Sequence, residues 1–72
     1  MLIYNSRILG SFKCADEHEM CECTGNVIYG KDSTWTAPME ADNEIACANG
    51  VFGDPLVGTL KECRCTPTGG EL

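Results

Sequence analysis

Cys21-Glu22-Cys23-Thr24-Gly25-Asn26-Val27-Ile28-Tyr29 opens with two cysteines one residue apart and closes on a run of β-branched and aromatic side chains. In an extended strand, residues two apart face the same side, so Cys21 and Cys23 project together with Cα atoms roughly 6.6 Å apart. Their Cβ vectors are then parallel, which is close to the limit of disulfide geometry, and each sulfur has to find its partner elsewhere. Cys63-Arg64-Cys65 repeats the arrangement, and Cys14 and Cys47 complete a set of six. The sequence leaves the pairing open. Four thiolates from the two doublets around one zinc ion are a poor fit, because structural zinc wants knuckles with about two to four residues between paired cysteines. No metal and no other cofactor is expected.

Working outward, eight glycines and three prolines punctuate the chain at short intervals. No apolar 3.6-residue pattern persists for more than about two turns between them. Short β-prone runs remain at residues 2–9, 21–23 with 27–29, 44–47, 51–52 and 59–65. Thr24-Gly25-Asn26 and Ala48-Asn49-Gly50 read as tight turns. One helical turn is expected around residues 15–20. The fold class is therefore all-β: a small disulfide-rich antiparallel sheet or sandwich with at most one helical turn. Residues 1–12 are expected as an N-terminal strand or arm, 13–66 as the stapled β module and 67–72 as a flexible tail.

With 72 residues, ordering the chain costs on the order of 100 kcal/mol, and burial in so small a body returns roughly the same. Cross-links supply the difference, at about 2–4 kcal/mol each. An even cysteine count in a short chain points to an oxidising compartment, the cell exterior, the secretory pathway or a periplasm. Met1 to Phe12 lack the unbroken apolar run of a signal peptide, as in a mature form or an excised domain. No stretch reaches the ~20 apolar residues of a membrane span. Eleven acids against five bases, a net charge of −6, argue against nucleic acid, whose phosphates need clustered Lys and Arg. The acidic runs at residues 16–22 and 40–44 lack the alternating oxygen ligands and central glycine of a calcium loop, so they read as solubilising charge.

His18, flanked by Glu17 and Glu19, is the only histidine, and no catalytic Cys/His or Ser/His/Asp set can be assembled around it. The chain is expected to be non-enzymatic. Trp35, in the polar segment Ser33-Thr34-Trp35-Thr36, is expected to pack in the core. Residues 2–9 are cysteine-free and apolar enough to act as an edge strand or to pair with another copy, which would make the chain a structural subunit of an assembly.

Ala48-Asn49-Gly50-Val51-Phe52-Gly53-Asp54-Pro55-Leu56-Val57-Gly58-Thr59-Leu60-Lys61 carries the functional signal. Gly50, Gly53, Gly58 and Pro55 bend the backbone back on itself, Phe52 and Leu56 can plug the bend, and Asn49, Asp54, Thr59 and Lys61 are left to converge. Such a polar cup matches vicinal sugar hydroxyls, with a carboxylate to accept and an ammonium and an amide to donate. The alternative is that Asp54 caps its own turn and Lys61 is solvated.

These residues resemble the signature of the galactose- and rhamnose-binding lectin domain of the sea-urchin-egg-lectin type: an Asn, then Phe-Gly-Asp-Pro, then Gly-Thr-x-Lys. Asn49, Phe52-Gly53-Asp54-Pro55, Gly58-Thr59 and Lys61 stand at that spacing, and Tyr29-Gly30-Lys31 is similar to the family's Tyr-Gly-Arg turn. Leu56 replaces a cysteine of the family pattern. The resemblance implies an extracellular carbohydrate-binding module. In it, Asn49, Asp54 and Lys61 hold hydroxyls of a galactose- or rhamnose-type glycan, the Gly58-Thr59 backbone assists, and Tyr29 lies against the ring.

Overall fold

The computed structural model describes residues 11–68. Residues 2–9, and with them the expected pairing arm, lie outside the described residues, as do residues 69–72 of the tail. The described elements are β1 (Phe12–Asp16), β2 (Met20–Glu22), β3 (Gly25–Lys31), β4 (Thr34–Trp35), β5 (Met39–Ala41), β6 (Glu44–Ala46), a single helical turn α1 (Asn49–Phe52) and β7 (Glu62–Pro67). The all-β, disulfide-rich architecture is the one the cysteine doublets and short β-prone runs imply.

β3 is the centre of the main sheet. It pairs antiparallel with β7 from Gly25 opposite Pro67 to Gly30 opposite Glu62. On its other side it takes β5 against Gly25–Val27 and β4 against Gly30 and Lys31. β1 covers the outer side of β7. β2 and β6 form a separate two-stranded sheet. Along β3 and β7 the alternation has period two: Val27, Tyr29, Cys63 and Cys65 are buried while Asn26 and Thr66 are exposed. One inner face thus follows directly from the pleat. Gly30 has no room for a side chain, because a Cβ there would run into the Thr34 carbonyl of β4.

The doublets behave as their geometry requires. Cys21 bonds Cys14, Cys23 bonds Cys65 and Cys63 bonds Cys47, so neither doublet closes on itself. Cys14 occupies a bulge in β1, where the register against β7 jumps between Lys13 and Ala15, and this extra residue turns the sulfur toward β2. Among the described residues, five of the nine buried hydrophobic ones are half-cystines, the rest being Ala15, Val27, Tyr29 and Ala41. Sulfur takes the place of the aliphatic interior that a chain of this length cannot build. By loop length, the rings of sequence separation 7, 16 and 42 contribute roughly 2.4, 3.1 and 3.9 kcal/mol if each acted alone.

Several local expectations are corrected. Residues 15–20 hold no helical turn, because Ala15 and Asp16 extend β1 and Met20 begins β2. The turn of helix forms instead at α1, where the Val51 and Phe52 amides both donate to the Ala48 carbonyl. Val51 and Phe52 are therefore helical, not a strand, and Ala48-Asn49-Gly50 opens that turn. Gly25 and Asn26 belong to β3 and not to a tight turn. Trp35 is half-buried on the two-residue strand β4, with its indole N–H donating to the Asp32 carbonyl at 2.7 Å. Tyr29, fully enclosed, is the buried aromatic residue among those described. Pairing of the described strands begins at Phe12 and runs through Pro67.

Candidate functional site

Lys61 immediately precedes β7, and only 2% of its side chain is exposed. Its ammonium donates to the backbone carbonyls of Thr59 at 2.6 Å and Leu56 at 3.2 Å. The same group lies 3.0 Å from Asp54 Oδ1 and 3.3 Å from Glu17 Oε1. Four oxygens from two separate stretches of chain therefore surround one buried cation, which is how a buried charge is made tolerable. Burial by itself would depress the Lys61 ammonium, but the Asp54 and Glu17 carboxylates outweigh it, and its pKa stands above the ordinary lysine value.

The loop over this cation has a fixed backbone. Asp54 Oδ1 accepts from the Leu56 amide at 3.1 Å, the Asx turn of the alternative reading of that residue. The Thr59 amide donates to the Leu56 carbonyl, closing a β-turn whose third residue, Gly58, has φ 84°. Glycine adopts that left-handed region without the Cβ clash other residues meet. With Lys61 pulling both flanking carbonyls inward, the turn tip points out, and Val57 and Leu60 are exposed.

Beneath the loop, the Tyr29 hydroxyl donates to Asn49 Oδ1 at 2.6 Å. The Tyr29 ring stacks on Phe52 at 5.1 Å between centroids, and Lys61 Nζ lies 5.7 Å from its centre. Burial first, and the neighbouring Glu17 carboxylate second, raise the Tyr29 hydroxyl above its usual pKa. Of the two residues expected to plug the bend, Phe52 packs against the core, while Leu56 is half-buried without joining that packing.

Asn49, Asp54, Gly58, Thr59, Lys61 and Tyr29 thus come together, but in two tiers. Asn49, Gly58 and Thr59 are exposed, and Asp54 keeps 27% of its side chain accessible. Lys61 and Tyr29 form the buried foundation. Tyr29, expected against a sugar ring, has both its ring and its position taken by Phe52 and the sheet, so no ligand reaches its face. Lys61, expected to donate to hydroxyls, spends its donors on the chain itself and is not solvated either.

Glu17 is the member the sequence did not reveal. It lies in the turn between β1 and β2, its carboxylate 7% exposed. Oε1 accepts the Lys61 amide at 2.9 Å, while the Glu17 amide donates to the Lys61 carbonyl at 2.9 Å. The Lys61 amide first, and the Lys61 ammonium after it, hold this carboxyl below its ordinary range against the opposing effect of burial. The contact spans 44 residues, so no local motif announces it.

Comparison of the chain with family models, with curated proteins and with solved structures gives no match in any of the three.

Proposed function

We propose that this chain is a non-enzymatic carbohydrate-binding module of the extracellular space, and that the glycan is held at the rim formed by Asn49, Asp54 and Thr59. The supporting observation is the two-tier arrangement. Asn49 Oδ1 is fixed by Tyr29 and Asp54 Oδ1 by Leu56 and Lys61. Asn49, Asp54 and Thr59 are exposed and stand on a backbone whose turns are already closed. Donors and acceptors held in this way take vicinal hydroxyls without paying to order the loop. Lys61, Tyr29 and Glu17 act as positioning residues and not as ligands. Three disulfides in so small a domain suit an oxidising environment, as extracellular recognition modules have.

A rim of three polar groups on an open surface gives an affinity on the order of millimolar for a monosaccharide. Titration of galactose and of rhamnose, followed through amide shifts in nuclear magnetic resonance spectra, tests the reading. Shifts clustered on residues 49–60 that vanish in Asp54→Ala and weaken in Thr59→Ala are expected. Shifts that survive both substitutions, or none at saturating sugar, would remove the assignment.

A further inference from the structure

The ring closed by Cys14–Cys21 is the shortest of the three cross-linked loops, with a sequence separation of 7. It contains the Glu17-His18-Glu19 turn, and that turn is bound to the rest of the molecule by four hydrogen bonds and by the Glu17–Lys61 ion pair. The Glu17 amide donates to the Lys61 carbonyl and its carboxylate accepts from the Lys61 amide. The His18 amide donates to the Cys47 carbonyl at 2.7 Å, and the Cys47 amide donates to the Glu19 carbonyl at 2.9 Å. His18 stands at φ 80°, in the left-handed region that residues with a side chain adopt uncommonly. The small ring therefore holds this left-handed turn against the foundation of the loop at residues 53–60.

Access distinguishes this disulfide from the others. Cys14 is half-buried, whereas Cys23, Cys47, Cys63 and Cys65 are all within the enclosed core. A thiolate has to reach a sulfur to exchange with it. The ring is also the one whose opening restores the least chain entropy to the unfolded state, so the fold loses least with it.

We infer that Cys14–Cys21 is a reducible latch on the loop at residues 53–60. A dithiol attacks the sulfur of Cys14, the half-buried half-cystine, forming a mixed disulfide and releasing Cys21 as a thiolate. The second thiol of the reagent then displaces Cys14, giving two protein thiols and one oxidised, cyclic dithiol, a two-electron transfer with protons balanced. The Glu17-His18-Glu19 turn, no longer confined, relaxes from its left-handed residue. Glu17 leaves Lys61, and the ammonium loses one of the two carboxylates that keep it under the Leu56–Thr59 turn. Cys23–Cys65 and Cys47–Cys63 keep the sheets joined throughout. The consequence for glycan binding rests on the proposed function; the consequence for the loop does not.

Stepwise treatment of the native protein with dithiothreitol, alkylation of the thiols released and mass mapping form the first arm. The expected first product carries labels on Cys14 and Cys21 alone, appearing about tenfold faster than any other. Hydrogen exchange on that product, and on a Cys14→Ser/Cys21→Ser variant, forms the second. Exchange at the Glu17, Thr59 and Lys61 amides should rise about tenfold or more while the Val27 and Cys65 amides keep their protection. Earlier reduction of either other bridge, unchanged loop amides after the latch opens, or collapse of β3 and β7 together with the loop would each overturn the inference. Sugar titration of the oxidised and latch-open forms separates the two proposals: absence of binding in both bears on the glycan reading alone.

Discussion

The Tyr29 hydroxyl donates to Asn49 Oδ1 at 2.6 Å, joining the middle of the central strand to the first residue of the helical turn, 20 positions further along the chain. The bond links a wholly enclosed ring to an exposed amide, so the two partners respond differently to its loss. In Tyr29→Phe the ring stays packed on Phe52 and Asn49 turns to water. The expected cost is about 1 kcal/mol, far below the roughly 3–5 kcal/mol of removing a buried aromatic ring altogether. Denaturant unfolding of Tyr29→Phe beside Tyr29→Ala measures the difference.

The three disulfides should differ in worth. Replacing Cys23 and Cys65 by alanine opens the widest ring and is expected to cost about 4 kcal/mol, against roughly 2 kcal/mol for Cys14 and Cys21. In a domain of this size the first loss is enough to leave most molecules unfolded at ambient temperature. Circular dichroism in a denaturant series, with each pair replaced in turn, gives the ranking.

Two glycines make separable demands. Gly30→Ala drives a Cβ into the Thr34 carbonyl, so β4 has to move away from β3 at a cost of about 1–3 kcal/mol. Gly58 meets nothing within 4 Å; its φ of 84° alone penalises alanine, by about 1–2 kcal/mol. Gly30→Ala should alter amide shifts along β3 and β4. Gly58→Ala should confine its changes to residues 54–61.

Acid and alkali should each loosen the Glu17–Lys61–Asp54 cluster. The Glu17 carboxyl is held below its ordinary value in the folded chain. The stability it contributes is therefore complete above the ordinary glutamate range and is lost as pH falls through the lowered folded value. Lys61 is raised in the folded chain, so its contribution is complete below the ordinary lysine range and fades as pH rises through the higher folded value. Thermal unfolding across pH should show a plateau with a fall at each extreme. Glu17→Gln should blunt the acid limb, and an unchanged acid limb in that variant would show that another carboxylate governs it.

How far the sequence carries depends on the range of the interaction that decides each element. Same-side projection across one residue is enough to disfavour Cys21–Cys23 and Cys63–Cys65 bonds, and the glycine-rich segment is enough to mark Phe52 as its inward residue. Val51 and Phe52 read as β-prone, yet the Ala48 carbonyl takes both their amides, and a local turn outweighs a weak propensity. β1, with Ala15 and Asp16 in it, has little intrinsic β character and exists because β7 offers it a ladder. Trp35 has the larger ring, but the central strand passes through Tyr29, and pairing on both sides of that strand encloses it. Glu17 is beyond any local reading, since its partner lies on the far side of the chain.

An interior made largely of cystine exposes little hydrocarbon when it opens. The heat-capacity change of unfolding tracks the apolar area released to water, so this protein should show a smaller one than its length suggests and a correspondingly shallow stability curve. Folded populations would then vary little between cold and warm water, and the chemical potential of thiols in the surroundings, more than temperature, would decide whether the molecule keeps its shape.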